Sequence, residues 1–109
     1  MGEFVRLENE KATGVATIRV ERPPMNAISK QLTQELAEVA EHLASAQDIG
    51  AVVIWGGPKI FAAGADIKEF PVIQDKAEAI EFSMHLHNAL LAIENLPQIT
   101  ISAVNGYAL

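Results

Sequence analysis

At 109 residues, half of them apolar and a fifth charged, the chain has the size of one domain and a folding composition, which excludes intrinsic disorder. It has no cysteine, so disulfide scaffolds, thiolate zinc sites and a cysteine nucleophile are excluded together. With 14 acidic against 8 basic residues the formal charge is −6, which argues against nucleic acid as the main partner, because phosphate binding needs a basic footprint.

The chain opens as a hairpin. Phe4–Glu8 and Val15–Val20 are β-rich and partly alternating, and Lys11-Ala12-Thr13-Gly14 supplies the turn. Arg22-Pro23-Pro24 ends the second strand because prolines remove backbone donors, and Asn26-Ala27 follows in a loop. Ser29 is the N-cap of a helix running to about Ala46, with Leu32, Leu36, Val39, Ala40 and Leu43 on its apolar face. Gln34, Glu35, Glu38, Glu41 and His42 are assigned to the wet face, with His42 beside Glu38. Asp48-Ile49-Gly50 breaks the helix, and Ala51–Trp55 is a continuous apolar run of the kind buried on both faces of a sheet. Asp75-Lys76-Ala77-Glu78 is a capping-box pattern that opens a long helix to about Leu96, apolar on more than one face. Pro97 stops it, Ile99–Val104 is a further strand, and Asn105-Gly106 turns the chain. The end, Tyr107-Ala108-Leu109, is apolar straight after a strand, where chain ends usually fray into water, and reads as an element cut short.

No run reaches about 18 consecutive apolar residues, so no membrane span is expected. The N-terminal stretch lacks a secretory pattern, and a cytoplasmic location is the expectation.

The chemistry is expected between Gly56 and Phe70. Gly64 permits backbone angles closed to other residues, and the small Ala62, Ala63 and Ala65 allow a ligand to approach closely. Asp66 followed by Glu69 resembles a helix start, which would leave the N–H groups near Ala65 without intrahelical partners at the positive end of a short helix. A backbone amide so presented can stabilise a developing oxyanion, worth about 3 kcal/mol. The same letters also suit a plain strand-to-helix turn, and neither a phosphate-binding P-loop nor a G-x-G-x-x-G pattern is present. His85 and His87, two apart on a helix, point about 200° away from one another and cannot share a metal ion. Asp66 and Glu69 are read as capping groups rather than a catalytic pair. Ser83 and Ser102 lack a recognisable triad, and Tyr107 is left between core and site.

Three segments carry a resemblance. Arg22-Pro23-Pro24-Met25-Asn26-Ala27, Phe61-Ala62-Ala63-Gly64-Ala65-Asp66-Ile67-Lys68 and Ala103-Val104-Asn105-Gly106-Tyr107-Ala108-Leu109 resemble, in order and spacing, three signatures of the enoyl-CoA hydratase/isomerase (crotonase) superfamily. The resemblance implies an α/β fold, a partial crotonase-like β-β-α spiral with mostly parallel buried strands. It implies that residues 1–109 form the N-terminal part of such a domain, ending before a Gly-rich segment that carries a second oxyanion amide and before the acid–base glutamates. The first oxyanion amide would be the N–H of Ala65. Ala63, Gly64, Asp66, Ile67 and Lys68 would lie along CoA, with Lys68 able to meet phosphate, and Ala27 would line the same side. The substrate would be an acyl-CoA thioester, with no cofactor beyond its CoA and no metal. The intact parent is expected to hydrate trans-2-enoyl-CoA as a trimer or hexamer. The alternatives are double-bond isomerisation or a non-catalytic, self-associating fragment. Gln98-Ile99 departs from the family's usual Lys-Pro. A chain with one donor and neither acid is expected to show no turnover alone, since those groups contribute about 10²–10³ and 10²–10⁴ in rate.

Overall fold

The computed structural model describes residues 2–109, so Met1, the first residue of the expected unit, lies outside the described residues. Strands β1 (Val5–Glu10) and β2 (Val15–Val20) form the antiparallel hairpin, with Val5 opposite Val20 and Glu10 opposite Val15. Helix α1 (Lys30–Ala44) then crosses to β3 (Ala51–Trp55), which runs parallel to β2. A 3-10 helix (Ile67–Val72) and helix α2 (Lys76–Glu94) lead to β4 (Ile99–Ala103), parallel to β3. The architecture is α/β: one sheet of four strands in the order β1-β2-β3-β4, mixed but mostly parallel.

Side-chain alternation decides which face of that sheet is the core. Ala16 and Ile18 of β2 share a face with Val52 of β3, and Leu32, Leu36, Val39 and Leu43 of α1 close over it. Each large side chain buried there contributes about 1.5–3 kcal/mol. Helix α2 packs on α1 rather than on the sheet, and adds Ala89 and Ile93 to the core. Ser29 Oγ accepts the Leu32 N–H at 3.1 Å, which caps α1 as expected. Asp75 Oδ1 accepts the Glu78 N–H at 2.9 Å, while the Glu78 carboxylate reaches the N–H of Gln74, one residue before the cap.

Four expectations need correction. Glu35 is buried, not on the wet face: its Oε1 accepts the N–H groups of Phe4 and Val5 at 2.8 and 3.0 Å and ties the start of β1 to α1. Among the described residues His42 makes no ion pair, with Glu38 or any other carboxylate. Strand β3 is covered fully only at Val52, because α1 shields one face of the sheet alone. The apolar positions of β4 are exposed, Ile99 at 69% and Ile101 at 51%, because register places Thr100 and Ser102 on the α1 side and β4 is the sheet edge. Helix α2 likewise leaves Ile80, Met84 and Leu90 in solvent. Gln98 has a definite task at the entry to β4: its Nε2 donates to the Leu43 carbonyl at 2.7 Å and so satisfies the C-terminal end of α1. Among the described residues no helix is long and apolar enough to cross a membrane.

Candidate active site

Strand β3 delivers the chain into Gly56, where a side chain would run into the carbonyls of Ile60 and Phe61, so the loop folds back tightly on itself. It then passes between two neighbours. On one side Phe61 and Ala62 donate to the Tyr107 carbonyl at 3.1 and 3.0 Å, and the Leu109 N–H donates to Ala62 at 3.0 Å. On the other side lies the loop that follows β2: the Ala63 N–H donates to Met25 at 3.1 Å. At Gly64, φ is +94°, a value that a side chain opposes.

Ala65 then forms an isolated parallel bridge with Ile28. The Ile28 N–H donates to the Gly64 carbonyl at 2.8 Å, and the Asp66 N–H donates to the Ile28 carbonyl at 2.9 Å. In extended backbone the groups of successive residues point to opposite edges. The bonds on either side of Ala65 therefore turn its own N–H away from Ile28. That N–H has no acceptor among the described residues. Its freedom comes from this alternation. Asp66 caps the short helix that starts at Ile67, as the helix-start reading expects, but that helix is a single 3-10 stretch and it is the bridge to Ile28 that directs the Ala65 N–H.

Ala65 is exposed on the wall of a cavity of about 510 Å³ that lies between the start of α1, the 3-10 helix and α2. Ile28, Val72, Ile73, Phe82 and Leu86 supply the apolar lining, with Lys30, Lys68, Glu69, Glu78, Glu81 and His85 among its polar groups. An amide with no acceptor among the described residues, beside apolar side chains, is suited to polarising a carbonyl oxygen.

The other expected site residues divide. Lys68 borders the cavity with Ala65, whereas Ala27, Ala63, Gly64, Asp66 and Ile67 do not. Ile67 is 72% exposed on the outer surface. The buried Asp66 carboxylate is engaged within the protein. Its Oδ1 accepts the Lys68 N–H at 3.0 Å, and its Oδ2 meets Arg22 Nη2 at 2.9 Å. The Lys68 N–H holds its pKa below the usual carboxylate value; burial opposes this and Arg22 reinforces it. Glu69 does not complete a capping box: its carboxylate accepts the Lys30 N–H at 2.8 Å, joining the 3-10 helix to the first turn of α1. His85 and His87 are both exposed, and no metal-holding cluster of His, Cys, Asp or Glu occurs among the described residues.

Two supporting residues escaped the reading of the sequence, although both lie in the first motif. Asn26 is buried at φ +53°; its Nδ2 donates to the carbonyls of Gly56 and Phe61 at 2.8 and 3.1 Å, and its Oδ1 accepts the Arg22 N–H at 2.8 Å. Asparagine tolerates that φ better than other side-chain-bearing residues, which was the available signal. Arg22 reaches from this loop to Asp66, a long-range contact that local patterning does not reveal.

The family model described as enoyl-CoA hydratase/isomerase matches residues 10–109. A probable enoyl-CoA hydratase of Mycobacterium avium is 35% identical across 100% of this chain and 43% of its own length. One from Mycobacterium tuberculosis is 38% identical over 98% of this chain and 40% of its own. Among solved structures, Pseudomonas aeruginosa DspI superposes with a TM-score of 0.87 at 34% identity, over 98% of this chain and 40% of that one. An enoyl-CoA hydratase/carnithine racemase from Magnetospirillum magneticum gives 0.88 at 31% identity, over 95% of this chain and 39% of that one. The chain thus spans about two-fifths of the length of the relatives it matches. With the motifs, the fold and a family model that covers nearly all of it, the chain belongs to the enoyl-CoA hydratase/isomerase family.

Proposed function

We propose that this chain is the acyl-CoA-binding part of an enoyl-CoA hydratase, and that the Ala65 N–H donates to the thioester carbonyl of the bound substrate. The observation that carries the reading is Ala65, whose amide has no acceptor among the described residues, on the wall of a cavity whose lining includes Phe82 and Leu86. Hydration of a trans-2-enoyl thioester builds negative charge on that carbonyl oxygen as water adds to the β-carbon, and a fixed donor lowers the barrier by favouring the enolate. A second donor is implied by the resemblance in the segment after the position of Leu109. In support, the Leu109 carbonyl lies where a Cβ on Gly64 would approach it to 3.3 Å, so that segment would begin beside the Gly64–Ala65 loop. Lys68 would meet a phosphate of CoA, a role supported by its exposure and its position in the cavity lining. Water addition by the whole protein, a trimeric or hexameric parent and a cytoplasmic location belong to the same proposal.

Titration of the ¹⁵N-labelled chain with crotonyl-CoA tests the reading. The Ala65 amide proton should move downfield on saturation, while CoA alone leaves it near its free position. Loss of the enoyl absorbance should not be catalysed by the chain alone. An Ala65 amide indifferent to crotonyl-CoA, or measurable turnover without a second donor, would overturn the proposal.

A second reading, association of the chain with itself, is favoured by the exposure of Ile99, Ile101, Ile80, Met84 and Leu90. Sedimentation separates the two, because a monomer across micromolar to millimolar concentrations is incompatible with it.

A further inference from the structure

The bridge that aims the Ala65 amide is short: two hydrogen bonds, from Ile28 to Gly64 and from Asp66 to Ile28, with the Ala63 N–H to the Met25 carbonyl at 3.1 Å as a further backbone bond between the same two segments on the Gly64 side. Arg22 spans it. One guanidinium nitrogen, Nη1, donates to the carbonyl of Ala27, the residue before Ile28, at 2.9 Å. The other, Nη2, meets the carboxylate of Asp66, the residue after Ala65, at 2.9 Å. The guanidinium therefore grips both strands of the bridge with one rigid fork, which a flexible ammonium cannot do. The fork is itself held in place. The Arg22 N–H and carbonyl are both bonded to Asn26, at 2.8 Å each, and the Phe4 ring lies 5.3 Å from the guanidinium carbon. The two side chains are largely shielded, 26% and 10% exposed, so the ion pair is only partly screened.

We propose that Arg22 is a positioning residue for the oxyanion amide: by clamping Ala27 and Asp66 together it fixes the direction of the Ala65 N–H, and it does not contact the substrate. This rests on the assignment of that amide to the thioester carbonyl. Arg22 has its charge occupied by Asp66 and is absent from the cavity wall, which sets it apart from a residue that recognises phosphate directly.

The test uses the full ¹⁵N-labelled chain as wild type, Arg22→Gln, Arg22→Lys and Asp66→Asn, with CoA and crotonyl-CoA as probes. In Arg22→Gln the binding of CoA should stay within about twofold of wild type, while crotonyl-CoA binding weakens about tenfold, equivalent to about 1.4 kcal/mol. The Ala65 shift on saturation should fall by at least half. Before any ligand is added, the Ala65 order parameter should drop from about 0.85 toward 0.6. Arg22→Lys restores charge without the fork and should recover less than half of the Ala65 response. Asp66→Asn removes the opposite end of the clamp and should reproduce Arg22→Gln, which keeps the question open to test if either variant folds poorly. Equal losses for CoA and crotonyl-CoA would mean that Arg22 touches the ligand, and an unchanged Ala65 order parameter would mean that it positions nothing; either result overturns the inference. A wild-type Ala65 that ignores crotonyl-CoA would instead refute the functional assignment, and the ligand-free order parameter would still judge the clamp.

Discussion

Replacing Asn26 by aspartate changes one atom and reverses its hydrogen bonding. The surroundings admit a single orientation of the wild-type amide, since the Arg22 N–H demands an acceptor and the Gly56 and Phe61 carbonyls demand a donor. In Asn26→Asp the bond from Arg22 survives, but an oxygen faces two carbonyl oxygens at a site that is 4% exposed. Two lost hydrogen bonds cost about 1 kcal/mol each, and leaving buried acceptors unsatisfied beside a carboxylate raises the total to about 3–4 kcal/mol at neutral pH. That is a large share of the roughly 5–15 kcal/mol that holds a domain of this kind together. The cost should fall in acid. Protonation of the introduced carboxylate restores one donor, so its folded pKa lies above the unfolded value of about 3.9. Stability tied to such a group is fully present below the unfolded pKa and is lost as pH rises through the folded one. Urea denaturation followed by circular dichroism, on wild type and variant in parallel from pH 4 to pH 8, reads the difference directly and cancels the acid sensitivity of the rest of the protein. The gap should be widest at neutral pH and narrow toward pH 4. A gap under about 0.5 kcal/mol at pH 7, or one that does not vary with pH, would refute the network as drawn.

Gly64→Ala places a side chain at φ +94°, at a cost of about 1–3 kcal/mol, and should abolish the Ala65 shift induced by crotonyl-CoA. Urea midpoints and the titration check both, and a variant as stable and as responsive as wild type would contradict the role of the glycine. Burial pushes the Glu35 carboxyl up, but the Phe4 N–H, the Gln31 amide and the Val5 N–H outweigh it and hold its pKa below normal. Its contribution is therefore present above the unfolded value of about 4.3 and lost as pH falls through the lower folded pKa. Glu35→Gln should accordingly be less stable at pH 7 and lose less stability between pH 5 and pH 3. Leu43→Ala, at a fully buried site, should cost about 2–5 kcal/mol, whereas Ile101→Ala on the uncovered face should cost far less. Similar penalties for the two would mean that the face assignment is wrong.

Local chemistry made much of the fold readable. The Ser29 and Asp75 caps, the helical spacing of Leu32, Leu36, Val39 and Leu43, and the Lys11–Gly14 turn each follow from short-range rules, and the structure keeps all of them. Glu35 was misplaced because its burial depends on two N–H groups about thirty positions earlier, at Phe4 and Val5, which no helical wheel contains. Ile99 and Ile101 fit an apolar strand equally well inside or out; only pairing to β3 settles their face. In the candidate site, the glycine and small residues around position 64 marked the loop. The direction of the Ala65 N–H, by contrast, depends on a bridge to Ile28, far away in the chain.

The amino-acid order by itself determined the element types, the acidic and thiol-free character that narrows the chemistry, and the three motifs that carry the family. Tertiary structure alone decided that Arg22 meets Asp66, that Asn26 holds two loops together, and that the Ala65 amide is left without a partner among the described residues. The division has a physical origin. Propensities and caps act over one or two helical turns, whereas a backbone donor is aimed by whatever pairs with the residues on either side of it, and those partners come from distant parts of the chain.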